Sequence, residues 1–172
     1  MRGFIIRRDH SLMHRVNSWD APRWMRAYAI SSTRAGDGWI WYAMGVLVAL
    51  FGGDQRFHAL GAAGGAAILS VLLFMLLKRF AHRRRPCDIA PHCWATLLPP
   101  DQFSFPSGHT MTAFAVSLPL LMFYPELGAG LLFCALSIAV SRIVLGMHFL
   151  SDVLAGALLG AGLGCLGFLA FQ

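Results

Sequence analysis

Charge is scarce in this chain. Asp, Glu, Lys and Arg make up only 13% of its 172 residues, while 57% are hydrophobic. A soluble domain carries about 25% charged residues and roughly 45–50% apolar ones. With a mean hydropathy of +0.61, the composition excludes an ordinary soluble domain. It points to a single membrane domain over residues 1–172, with no room for a second. Acidic residues are the scarcest charges, eight against fourteen Lys and Arg. They form no carboxylate cluster of the kind that holds Mg²⁺, so no metal and no cofactor is expected.

Other absences narrow the class further. The four cysteines contain no C-x-x-C pair, which argues against a zinc site. Cys134 and Cys165 sit in apolar runs and read as packing residues. Cys87 and Cys93 share a loop and can form a disulfide if that loop lies outside the cytoplasm. No secretory signal with a small-residue cleavage site opens the chain; residues 1–15 are Arg-rich instead. No repeat of fixed period is present. The formal charge of +6, in so apolar a chain, fits anionic membrane lipid as a partner rather than nucleic acid. Oligomeric state leaves no trace in the sequence.

What is present is a set of apolar runs between polar punctuation. Residues 1–35 alternate Arg with Phe, Ile, Trp and Tyr, a pattern too polar to span a bilayer. They read as one or two amphipathic helices in the interface. Gly36-Asp37-Gly38 breaks that pattern. Residues 36–172 form the transmembrane core, an all-α helical bundle of about five spans. These are 39–53, 57–77, 107–123, 127–145 and 152–171, the first short for a span of roughly 20 residues. Gly61, Gly64 and Gly65 in the second span and the glycines of the last are expected to allow close helix contact. Pro106 is expected in the first turn of the third span.

Three polar stretches stand against this background, and alternating crossings bring all three to one face of the membrane. The first is Lys78-x6-Arg85-Pro86, two cations at a helix exit; alone it reads equally as a basic stop-transfer flank, as Arg79, Arg83 and Arg84 do. The second is Pro106-Ser107-Gly108-His109. Ser107 and Gly108 lie at a helix N-terminus, where free N–H groups favour a phosphate. His109 is placed to protonate a leaving oxygen. The third is Ser141-Arg142-x5-His148-x3-Asp152. Arg142 is a forked phosphate donor. His148 and Asp152, four apart, are expected on one helical face with the carboxylate bonded to the imidazole. A buried ion pair that fixes helix register is the plainer reading of that stretch alone. Together the three supply cations, two imidazoles and a carboxylate, a constellation for phosphoryl transfer without metal. His92, in the 87–105 loop, is a further residue able to touch substrate. His10, His14 and His58 read as interfacial.

The three stretches, in this order and without a departure, resemble the signature motifs of the type 2 phosphatidic acid phosphatase (PAP2) superfamily, across roughly residues 57–160. The spans favour its bacterial integral membrane lipid phosphatase branch. The resemblance implies that His148 is the nucleophile forming a phosphohistidine, that Asp152 orients it, and that His109 protonates the leaving group and then activates water. It implies that Lys78, Arg85, Ser107, Gly108 and Arg142 bind the phosphate. The substrate would be a lipid phosphate or diphosphate of the undecaprenyl diphosphate, phosphatidylglycerophosphate, phosphatidate or lipid A 1-phosphate type. Membrane members commonly have six spans, one more than is counted here.

Sidedness is contested. With Lys78, Arg85 and Arg142 set aside as phosphate ligands, every other Arg except Arg56 falls on the site's face. The positive-inside rule puts such a face in the cytoplasm. The resemblance implies a site facing the periplasm or outside of a bacterial cytoplasmic membrane, and that is the expectation adopted. A non-catalytic lipid-binding protein of the same fold and a vanadium-dependent oxidase are the alternatives from other classes.

Overall fold

The computed structural model describes residues 2–89 and 103–172. His92, Cys93 and most of the 87–105 loop lie outside the described residues, so the disulfide expectation does too. Among the described residues the regular elements are α1 (Arg2–Asn17), α2 (Arg23–Ala35), α3 (Trp39–Phe51), α4 (Arg56–Ala81), the single turn α5 (Pro86–Ile89), α6 (Gly108–Phe123), α7 (Gly128–Val144) and α8 (Leu150–Phe171). Two short 3₁₀ turns, Gly53–Gln55 and Pro125–Leu127, link α3 to α4 and α6 to α7.

The segments containing α4, α7 and α8 are long and apolar enough to cross a membrane, and α3 and α6 are shorter apolar helices. At 1.5 Å per residue the 16 residues of α6 reach about 24 Å, less than the roughly 30 Å hydrocarbon core. The shortfall is tolerable because α6 is the central helix. It packs on α4, α7 and α8 and buries Met111, Ala113, Ala115, Val116 and Leu120. Its polar first turn therefore meets protein rather than lipid. The outer faces of α3, α4, α7 and α8 expose Phe51, Phe80, Phe133, Leu158 and Leu166. These belong against lipid chains, and the molecule is an integral membrane protein.

Small residues set the helix spacing. Gly156, Gly160 and Gly164 form a stripe, four apart, that faces α6. A Cβ added at Gly160 would stand 2.1 Å from the Met111 carbonyl oxygen, and one at Gly156 2.7 Å from that of Ser107. The bare backbone of α8 thus lies against the backbone of α6, the close approach that small-residue stripes permit. In α4 the expectation holds at Gly61, where a Cβ would stand 2.4 Å from the Phe171 ring of α8, and needs correction at the other two glycines. A Cβ at Gly64 or Gly65 would meet nothing within 4 Å. The close face of α4 is instead built from alanines, Ala59, Ala62, Ala63 and Ala66, all buried. Pro106 also stands outside α6: Ser107 is the residue before its first turn.

The N-terminal helices are bound to the bundle. The α2 helix lies along α7, with a 2.7 Å hydrogen bond between the Tyr28 and Ser137 hydroxyls. Ala21 and Ala29 pack with Leu145 and Met147 of the turn before α8. Trp19, Trp24 and Tyr28 remain exposed, as suits aromatic side chains at a membrane–water boundary.

Candidate active site

Three separate structural causes bring the polar stretches together. Lys78 lies in the last turn of α4, where the chain turns at His82 in a left-handed conformation, φ 43°. The turn sends residues 83–85 back across the bundle, and Arg85 arrives buried. The glycine stripe of α8 holds the first turn of α6, with Gly108 and His109, against the turn that precedes α8. That turn, between α7 and α8, carries His148. The result is a cavity of about 750 Å³ whose polar end is lined by Lys78, Arg85, Gly108, His109, Arg142 and His148. Asp37 and Thr112 also line it, and the rest of its wall is largely apolar, with Trp41 from α3, Ile68, Val71 and Leu72 from α4, and Val116 from α6.

The surroundings of His148 fix its chemistry. Its Nδ1 lies 2.5 Å from the Ser104 carbonyl oxygen, an acceptor only, so Nδ1 carries the proton. Its Nε2 lies 3.3 Å from an Arg85 guanidinium nitrogen, a donor only, so Nε2 carries the lone pair. Both contacts select the same tautomer. Burial holds the pKa of His148 well below its ordinary value, and the charges of Arg142, Arg85 and Lys78 push the same way. The imidazole is therefore neutral at neutral pH, with its nucleophilic nitrogen among cations.

The expected pairing of His148 with Asp152 takes a different form. His148 lies in the turn before α8, not on a helix, so the four-residue spacing does not stack the two side chains. His148 Nδ1 and Asp152 Oδ2 stand 4.0 Å apart. Asp152 Oδ2 instead accepts from the Phe149 backbone N–H at 2.9 Å, closing the first turn of α8. Asp152 Oδ1 accepts from Arg83 at 2.6 Å. The carboxylate shapes the turn that presents His148, while the Ser104 carbonyl holds the ring. Ser107 and Asp152 are both fully buried and stand behind the cavity wall. The Ser107 backbone N–H donates to the Asp152 carbonyl at 3.1 Å, and its hydroxyl shares a 2.9 Å bond with Thr110.

Several residues that the sequence reading left aside belong to this site. Arg83 bonds Asp9 at 2.7 Å and Ser151 at 2.7 Å as well as Asp152, so it is no idle flank. Asp9 is buried in α1 and also accepts from the Ser151 backbone N–H. Thr33 of α2 accepts from Arg142 at 2.5 Å. Asp37, between α2 and α3, lies 2.7 Å from His109 Nε2. The signal for Asp37 was an acidic residue isolated between two glycines; a backbone carbonyl such as that of Ser104 leaves none.

Comparison with known proteins follows the same lines. The lipid A 1-phosphatase of Rhizobium johnstonii is 33% identical over 108 residues, 60% of this chain and 44% of that protein. The decaprenylphosphoryl-5-phosphoribose phosphatase of Mycobacterium tuberculosis is 32% identical over 139 residues, 75% of this chain and 69% of that protein. The chain thus spans under half the length of the first of these relatives. Among solved structures, Aquifex aeolicus LpxE superposes with a TM-score of 0.76 at 26% identity, covering 91% of this chain and 92% of its own. A transmembrane PAP2 type phosphatidylglycerolphosphate phosphatase from Bacillus subtilis superposes with a TM-score of 0.73 at 26% identity, over 95% of this chain and 84% of its own. Residues 59–172, which hold all three polar stretches, match the model of one family. The chain belongs to the PAP2 superfamily.

Proposed function

We propose that this protein hydrolyses a lipid phosphate or diphosphate through a phosphohistidine on His148. The observation that carries the proposal is the division of a single cavity. Two imidazoles, three cations and the Asp37 carboxylate line one end, and mostly aliphatic and aromatic side chains line the rest. That division matches an amphiphile with a phosphate head and a hydrocarbon tail. Named relatives act on such molecules: lipid A 1-phosphatase, decaprenylphosphoryl-5-phosphoribose phosphatase and, in Bacillus subtilis, phosphatidylglycerophosphatase B.

The steps follow from the donor set. Lys78, Arg85, Arg142 and the first-turn N–H groups of α6 hold the non-bridging oxygens and the charge that grows on them in the transition state. The Nε2 lone pair of His148 attacks phosphorus, the bond to the leaving oxygen breaks, and His109 gives that oxygen a proton. His109 then takes a proton from water, whose oxygen displaces His148 and frees the phosphate. Arg85 and Ser104 keep His148 in the attacking tautomer, and Asp152 holds the turn on which it sits. The protein would sit as a multi-pass chain in a bacterial cytoplasmic membrane, with the site facing outward.

The test is a substrate panel on detergent-purified protein in EDTA: a polyprenyl diphosphate, phosphatidylglycerophosphate, phosphatidate and lipid A 1-phosphate. Phosphate release from at least one is expected to survive chelation, to be blocked by vanadate and to vanish in His148→Ala. Release that depends on added Mg²⁺ contradicts the mechanism.

A further inference from the structure

The turn Gly36-Asp37-Gly38 is built to reach into the site. Gly38 has φ 125°, a backbone conformation that side-chain-bearing residues rarely adopt. At Gly36 a Cβ would stand 3.2 Å from His109 Cδ2 and 3.0 Å from Ile138 Cγ2. Glycine at 36 thus lets the backbone lie against the His109 ring. One turn earlier on α2, Thr33 accepts from Arg142. The segment is therefore tied to a phosphate-binding cation at one point and to an imidazole at the next. All of this lies before residue 59, outside the part of the chain that matches the family model.

We propose that Asp37 is a positioning residue for His109: its carboxylate accepts from His109 Nε2–H, 2.7 Å away, and so reserves Nδ1 as the nitrogen that exchanges a proton with the leaving oxygen. A carboxylate on one ring nitrogen fixes the tautomer and the ring plane, and so aims the other nitrogen. His148 has a carbonyl and an arginine on its two nitrogens, which keep it neutral. His109 has a carboxylate on Nε2. The partners thus leave a different nitrogen of each ring for the phosphate, Nε2 of His148 and Nδ1 of His109. Asp37 is half-exposed and lines the cavity, so its replacement leaves the bundle core untouched.

This inference rests on the proposed role of His109, and leaving-group dependence separates the two. The measurement is kcat/KM for two soluble-chain phosphate monoesters in detergent, dioctanoyl phosphatidate and an octyl-substituted 4-nitrophenyl phosphate. The first has a poor leaving group that needs a proton; the second has one that departs without it. His109→Ala is expected to lose about 10²–10⁴-fold on the phosphatidate and far less on the nitrophenyl ester. Equal losses on both sink the reading of His109 itself. Given the expected His109 result, Asp37→Ala is expected to lose on the order of tenfold to a hundredfold on the phosphatidate, a share of that acid–base factor, with KM not raised. It should stay within about twofold of wild type on the nitrophenyl ester, which also certifies the fold. Asp37→Asn, which keeps an acceptor but not the charge, should fall between. An Asp37→Ala deficit equal on the two substrates overturns the inference. So does an unchanged or faster phosphatidate reaction, since the carboxylate would then only compete with the leaving group for the imidazole.

Discussion

A histidine attacks phosphorus only through a lone pair, so the question at each imidazole is which nitrogen holds the proton. For His148 the Ser104 carbonyl and Arg85 answer together, and burial among cations keeps the ring neutral. Arg83 is the residue whose importance rises most. It joins Asp9 and Asp152, carboxylates 4% and 0% exposed, while Arg84 beside it is exposed. Removing one partner of a buried ion pair costs about 3–5 kcal/mol because the other charge stays buried. Arg83→Gln is therefore expected to lose about 3 kcal/mol of stability and most of the activity, read by thermal unfolding in detergent and by kcat. Arg84→Gln should change stability by less than about 0.5 kcal/mol, as exposed substitutions do. In the sequence these two residues are adjacent members of one basic run. Only the left-handed turn at His82 sends one inward and the other out, and no local pattern announces that. The candidate phosphate ligands were legible because their spacing is chemical; Arg83, Asp9 and Ser104 act through long-range contacts and were not.

Helices were the most legible level. Apolar runs and their polar breaks located α3, α4, α6, α7 and α8 to within a few residues, because hydrophobic length and glycine or proline punctuation are local signals. Which face of each helix packs was less legible. Gly156, Gly160 and Gly164 of α8 do meet α6, but in α4 the buried alanines and Gly61 make the contacts and Gly64 lines the cavity instead. A glycine in a membrane helix can mean either a backbone contact or a space for a ligand, and the sequence does not distinguish them. The difference yields a test of the lipid groove. Gly64→Leu points a side chain into open space, gains helix propensity of roughly 0.8–1 kcal/mol over glycine, and obstructs the tail path. It is expected to cut kcat/KM at least about tenfold for a long-chain lipid phosphate, the scale of a lost apolar contact of ~1.4 kcal/mol. Hydrolysis of a short-chain analogue should be unchanged. Equal loss on both chain lengths would place the tail elsewhere.

At the scale of the whole molecule, the N-terminal helices change the meaning of the charge count. The positive-inside rule weighs arginines as free membrane-flanking charges. Here Arg83 is held by Asp9, Asp152 and Ser151, and Arg26 lies 3.0 Å from Asp20. Part of the basic excess on the site's face is thus structural, which weakens the argument for a cytoplasmic site. Asp20 is 96% exposed beside Ala21, which packs with the turn residue Met147, so it marks the active-site face. A single cysteine at Asp20 (Asp20→Cys), with the native cysteines replaced by serine, should react with a membrane-impermeant maleimide in intact cells. Labelling only after lysis would place the site in the cytoplasm.

In the proposed mechanism Nε2 of His148 takes the phosphoryl group, and acid–base chemistry identifies that bond. Phosphohistidine is lost in acid and survives alkali, unlike phosphoserine. In that proposed mechanism His109→Ala slows both the protonation and the water steps, so a brief alkaline quench of this variant with ³²P-labelled substrate is the place to trap it. The account predicts a label on residue 148, attached through Nε2, that is absent from His148→Ala. Label on another residue, label on Nδ1, or turnover that persists in His148→Ala contradicts it.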